Sequence, residues 1–152
     1  MGPRPQARPS PPAAAIIIGI ASLAPFVTGA ALAAFGSTLD WRLYGTSLLT
    51  AYAACALSFL GAVHWGLALR EQPVPTSRLA VSTIPSLVGF IALAIGGRTG
   101  LTVMAAGFLG ALAYDIYGAR RGFVPSWYPR LRWPLTGIAL VCLFGAILGG
   151  PL

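Results

Sequence analysis

Five continuously apolar stretches occupy most of this chain of 152 residues: Ala13 to Gly36, Thr46 to Leu69, Leu79 to Gly97, Leu101 to Tyr117 and Pro134 to Gly150. Each reaches or exceeds the roughly 17 residues that cross a hydrocarbon core as a helix rising about 1.5 Å per residue, the last two only just. Backbone groups in hydrocarbon must be bonded within the protein, so such runs become either helices or strands of a closed barrel. A barrel wall needs period-two alternation in segments of roughly ten residues, which these runs lack. With 57% hydrophobic and 9% charged residues, the composition lies outside the soluble range. The expected fold is all-α, a polytopic membrane helix bundle of five transmembrane helices, with residues 13–152 forming one membrane domain.

Orientation follows from arginine. Arg4 and Arg8 precede the first span, Arg70 and Arg78 join the second to the third, and Arg120, Arg121, Arg130 and Arg132 join the fourth to the fifth; only Arg42 and Arg98 lie on the other side. Positive residues in short loops stay on the cytoplasmic side. The expected placement is therefore the bacterial inner (cytoplasmic) membrane, multi-pass, with the amino terminus cytoplasmic and the carboxyl terminus periplasmic; in a mitochondrion the same rule would read as matrix side in. The net charge of +7 is topological on this reading, and no nucleic-acid partner is expected. All ten basic residues are arginine in an Ala/Gly-rich chain, which hints at a GC-rich, bacterial genome.

Residues 1–12 hold five prolines and two arginines without apolar periodicity, the pattern of a disordered cytoplasmic tail. A competing reading takes Met1 to Ala33 as a signal peptide cleaved at Ala31-Leu32-Ala33, although the apolar run is long for a signal core. Cleavage would leave the sidedness of the later loops unchanged. Cys55 and Cys142 fall within spans and read as small buried apolar residues, not as a metal or disulfide pair.

Spans 1 and 3 share a Pro-x3-Gly-x6-Gly pattern, from Pro25 to Gly36 and from Pro85 to Gly96. Spans 2 and 4 share Phe-Leu-Gly-Ala, at Phe59 to Ala62 and Phe108 to Ala111, each leading to an aromatic, Trp65 or Tyr114. The two hairpins look like copies, which would make them parallel repeats with the fifth span added. Pro25 and Pro85 are expected to bend their spans at matched depth. Small residues let membrane helices approach closely. The ladders Ser58, Ala62 and Gly66, then Ala106 and Gly110, then Gly145 and Gly149, read as packing seams within the monomer.

Two ionisable side chains stand inside apolar runs, His64 and Asp115. Such groups are costly in a membrane and need partners. His64 lies six residues before Arg70 and Asp115 five before Arg120, so both sit roughly 7 to 9 Å inside the same boundary. They are therefore expected to meet, with Trp65 and Tyr114 beside them as a candidate polar site. Two readings stay open: the pair fixes helix register, or it forms a small site for a headgroup, a quinone ring or a proton. One histidine without paired cysteines is too few ligands for a haem or metal, so no cofactor is expected.

The connection from Gly118 to Trp133 interleaves arginine with aromatic residues, and its recurrent prolines argue against a regular helix. Trp and Tyr favour headgroup depth and arginine favours anionic phosphates. Arg120, Arg121, Trp127, Tyr128, Arg130 and Arg132 thus form either an aromatic belt with orientation charges or a headgroup- or partner-docking surface.

The stretch Ser58 to Leu69, the element Pro85-Ser86-Leu87, Asp115, and Pro125-Ser126-Trp127-Tyr128-Pro129-Arg130-Leu131-Arg132 with Leu135-Thr136 resemble the DUF3429 family, which includes bacterial members and the mitochondrial transmembrane protein 69 type. The resemblance runs from the first span to the last, and Pro-x-Trp-Tyr-x-x-Leu-Arg is its most specific part. It implies a small multispan inner-membrane protein of undefined biochemical role. The family often carries arginine before Trp-Gly, where this chain has His64; that departure argues against histidine-specific chemistry and keeps a basic group facing Asp115.

Asp40, Glu71 and Asp115 are the only carboxylates and fall at different depths, so no pair serves acid-base catalysis. No Gly-x-Ser-x-Gly, Walker or dinucleotide fingerprint is present. The expectation is a noncatalytic module binding the lipid bilayer, anionic lipid headgroups or a larger membrane complex. A small proton-linked transporter and a quinone-binding redox accessory protein are the alternatives.

Overall fold

The computed structural model describes residues 10–149, which fold into α1 (Ala13–Ala21), α2 (Ala24–Phe35), α3 (Leu39–Ala68), α4 (Thr76–Ile95), α5 (Gly97–Arg120) and α6 (Tyr128–Gly149). No strand occurs among the described residues. Taking α1 and α2 together as one span, five helical segments are long and apolar enough to cross a membrane. The tail expected at residues 1–12 lies, for residues 1–9, outside the described residues.

The helices close into a ring. α2 packs on α3, α3 on α4, α4 on α5, α5 on α6 and α6 back on α2, while α3 and α5 also touch across the middle. Leu49, Leu57, Leu101, Met104 and Leu143 are fully buried within this ring. At its centre Phe26 meets Tyr52 and Phe108 edge-on, with ring centroids 5.2 and 5.7 Å apart. Phe35, Phe59, Phe90, Val141 and Leu148 point outward, as lipid-facing residues do.

The first span breaks between α1 and α2, while the third runs unbroken through Pro85. Pro25 stands in the first turn of α2, where its missing N–H costs nothing; one turn earlier its ring would clash with the carbonyl of Ala21. Ser22 completes the break by donating its hydroxyl to the Gly19 carbonyl at 2.7 Å. The matched prolines therefore give a break in one span and a proline-bearing continuous helix in the other.

The helices also outrun the apolar stretches. Thr38 caps α3 by accepting the Trp41 N–H at 3.3 Å, so the helix begins seven residues before Thr46, its expected start. α6 begins at Tyr128 rather than Pro134: Pro129 occupies its first turn, and Arg130 and Leu131 donate back to the Trp127 carbonyl. The expected non-helical character of Tyr128 to Trp133 is thus corrected.

Close helix contact is made by glycines other than those of the expected ladders. A Cβ at Gly45 would collide with the backbone of α2 at Ala33, and one at Gly61 with the Ser82 carbonyl of α4. Gly66, Gly110, Gly145 and Gly149 face open space. Ser58, Ala62 and Gly66 lie on the outward face of α3, because α2, α4 and α5 occupy its other sides. Cys55 shares that outward face and is exposed, contrary to expectation, whereas Cys142 is buried.

The two Phe-Leu-Gly-Ala segments do not occupy equivalent environments. Phe59 is exposed and Gly61 buried against α4, whereas Phe108 is 2% exposed and Gly110 faces outward. The shared tetrapeptide therefore does not mark a shared packing role.

Candidate functional site

At the end of the ring that carries the α3–α4 and α5–α6 connections, three helices each contribute one ionisable group. His64 comes from the last turns of α3, Asp115 from α5 and Arg132 from the second turn of α6. The His64 imidazole bonds one Asp115 oxygen through Nε2 at 2.7 Å, and Arg132 donates Nε–H to the other oxygen at 3.1 Å. All three are buried, with Asp115 only 2% exposed. In a low-dielectric interior a carboxylate is tolerable only when paired and hydrogen-bonded, and this one accepts on both oxygens.

With Asp115 as a carboxylate, Nε2–H of His64 is the donor in this bond and the carboxylate oxygen the acceptor. Nδ1 of His64 is buried with no partner among the described residues. Tyr114 packs on the imidazole at 4.6 Å between ring centroids.

The α5–α6 connection folds back over this cluster through a glycine-terminated helix end. Phe123 N–H bonds the Gly118 carbonyl at 2.8 Å and Gly122 N–H bonds that of Ala119 at 3.3 Å, with Gly122 at φ 78°. This pairing is the Schellman motif, and the left-handed φ is what glycine allows there. It drops Val124, 4% exposed, onto Gly118; a Cβ added at Gly118 would lie 3.5 Å from Val124 and 3.8 Å from the His64 ring. Arg78, at the start of α4, pairs with Glu71 and stacks its guanidinium 4.0 Å over the Phe123 ring, pinning the turn from the other side.

A groove of about 470 Å³ opens laterally between α3, α4 and α5 and is lined almost wholly by apolar side chains, among them Leu60, Pro85 and Val88. His64, Ser82 and Tyr114 are its only polar wall residues among the described residues. On the α5 side, Gly110 has nothing within 4 Å of its Cβ position, whereas a Cβ at Gly107 would meet Val88 at 2.8 Å.

His64, Asp115 and Tyr114 are thus brought together, while Trp65 is 42% exposed and points away. Arg120, Arg121 and Arg130 are exposed, and Trp127 and Tyr128 are half-buried beside them. Arg132 is not part of that surface, because the early start of α6 turns it inward onto Asp115. Sequence reasoning missed Arg132 and Arg78 as partners. The available signal for Arg132 was Pro129, which marks a helix start one turn before it.

These features define a five-span α-helical membrane protein with a buried His–Asp–Arg cluster at one end and a lateral groove leading to it. Residues 11–148 match the family described as protein of unknown function (DUF3429), and the chain belongs to that family. The chain is similar to transmembrane protein 69 of Xenopus tropicalis, with 35% identity over 144 residues, covering 90% of this chain and 54% of that protein. It therefore spans about half the length of the curated relative it matches. No solved structure matches it.

Proposed function

We propose that this protein is a noncatalytic membrane module that binds an apolar molecule from the bilayer within the groove between α3, α4 and α5. We place it in the bacterial inner membrane with its amino terminus in the cytoplasm, as its arginine distribution favours. The observation that carries the binding reading is that the groove, open at its side and apolar along its length, has His64, Ser82 and Tyr114 among its wall residues. Ligand sites have this make-up, a concave apolar wall with a few polar groups that set orientation. A noncatalytic role is supported by the use of both Asp115 oxygens in holding Arg132 and His64, which leaves no free carboxylate at the groove. The exposed Arg120, Arg121 and Arg130 supply a surface for anionic headgroups at the same end.

Gly110 lines the groove with nothing within 4 Å of its Cβ position, so Gly110→Trp places an indole in that space. Native mass spectrometry of protein released from lipid nanodiscs is expected to find a small apolar molecule on the wild type and none on Gly110→Trp. Equal retention by both, or a wild type that is always bare, would exclude the groove as a ligand site.

A further inference from the structure

Neither an arginine nor a carboxylate is among the wall residues of the groove in the described part of the chain. Such a wall accommodates a hydrocarbon tail, and a charged head must lie beyond its end. The face of α5 that forms one side of the groove continues past it. Gly110 and Tyr114 on the wall are followed at helical spacing by Tyr117 and Arg121, so the four stand in one stripe. Side-chain contacts make that stripe continuous: the Tyr114 and Tyr117 rings stack with centroids 6.2 Å apart, and the Arg121 guanidinium lies 5.4 Å over the Tyr117 ring. Tyr117 and Arg121 are both exposed. Seven residues separate Tyr114 from Arg121, about 10 Å along the helix, which carries the stripe out of the apolar span to headgroup depth.

Arg121 is also a cation without a counter-charge. The chain has three acidic side chains. Asp115 is taken by His64 and Arg132, Glu71 pairs with Arg78, and Asp40 stands in the first turn of α3 at the opposite end of the ring. Arg120, Arg121 and Arg130 therefore face the same interface with no acidic partner among the described residues. Of these, Arg121 is the one stacked on the stripe that leads to the groove. A guanidinium whose place is already set by an aromatic ring loses less freedom when its fork pairs with a phosphate.

We propose that the groove and Arg121 form one site for an anionic phospholipid, with an acyl chain lying between α3, α4 and α5 and the phosphodiester at the Arg121 guanidinium. The proposal rests on the groove being a ligand site and makes the molecule held there the tail of a charged lipid. A zwitterionic lipid is the weaker fit, since its own cation offsets the phosphate in front of arginines that lack a counter-charge. The wall from Tyr114 back to Val103 runs about 16 Å along α5, and the roughly 470 Å³ of space suits one tail, the second remaining in the bilayer.

The test places the full chain in phosphatidylcholine nanodiscs containing a trace of lipid with a photoreactive diazirine near the end of one acyl chain, either as phosphatidylglycerol or as phosphatidylcholine. Peptide mass spectrometry after illumination reads where the tail lies, and the yield from each lipid reads the preference for its head. Wild type is expected to be labelled on the groove walls, at Val88 and Val103, about fivefold more by the phosphatidylglycerol, the worth of one basic residue near an anionic surface. Arg121→Gln is expected to label the same walls equally with the two lipids, whereas Arg98→Gln, at the opposite end, keeps the preference. Both substitutions fall on exposed side chains, and unchanged thermal unfolding of each variant checks that the fold is kept. Equal labelling of wild type by the two lipids, or a preference that survives in Arg121→Gln, would overturn the anionic head at Arg121 while leaving the groove as a site. Labelling of Val88 and Val103 no stronger in wild type than in Gly110→Trp, with either lipid, would overturn the groove with it.

Discussion

Asp115 is where the stability of this protein is most exposed to a single change. Its carboxylate neutralises Arg132 and orients His64, and both partners are buried with it. Asp115→Asn leaves a guanidinium without a counter-charge, which is expected to cost about 3–5 kcal/mol, the usual loss on breaking a buried pair from one side. Adding Arg132→Met removes the stranded charge and should restore a large part of that loss, as a double-mutant cycle of unfolding in detergent would measure. Had the carboxylate served only His64, the second change would do nothing. The meeting of His64 and Asp115 was legible from sequence because depth along a helix can be counted from its flanking arginines. Arg132 was not, because an arginine beside the apolar run at Pro134 reads equally well as an orientation charge, and only the true helix start turns it inward. Arg78 escaped for the same reason, its stacking on Phe123 depending on a fold-back that no local pattern announces.

The elements that shape the site are helix ends. α5 stops through Gly122 in a left-handed conformation, and that stop seats Val124 over the cluster. Gly122→Ala has open space for its methyl group, so its cost is conformational alone, about 1–2 kcal/mol. Thermal unfolding should register that loss, and hydrogen exchange should rise at the Phe123 and Val124 amides, which bond the Gly118 carbonyl. Loss of stability without faster exchange at those two amides would show that the turn is held by other contacts. The spans themselves were legible from apolar length, whereas their ends were set by features that length ignores: a Thr38 cap, a Pro129 first turn and a Pro25 break. Ladders of small residues misled because such spacing marks a face without saying what covers it; the tight approaches fall instead at Gly45 and Gly61.

At the scale of the whole molecule, ring closure depends on contacts distant in sequence. Arg42, in the first turn of α3, donates Nε–H to the Ala33 carbonyl of α2 at 3.0 Å and Nη2–H to the Gly149 carbonyl of α6 at 2.6 Å. A cation at helix carboxyl ends meets both unbonded carbonyls and the negative end of the dipole. Arg42→Met is expected to lower unfolding stability by about 1.5–3 kcal/mol, the range for a hydrogen bond from a charged donor, while ligand retention in the groove at the other end stays unchanged. A matching fall in retention would mean that the two ends are coupled through the ring.

The closed ring also sets a timetable for synthesis. α6 is the last of these helices to leave the ribosome, and it supplies Arg132 for Asp115, the carbonyl for Arg42 and the wall that returns to α2. Until it inserts, the nascent protein holds a half-compensated carboxylate in the bilayer and an open seam beside it. A chain stalled before α6 therefore carries its own mark of incompleteness, an acid short of one partner and a seam without its wall.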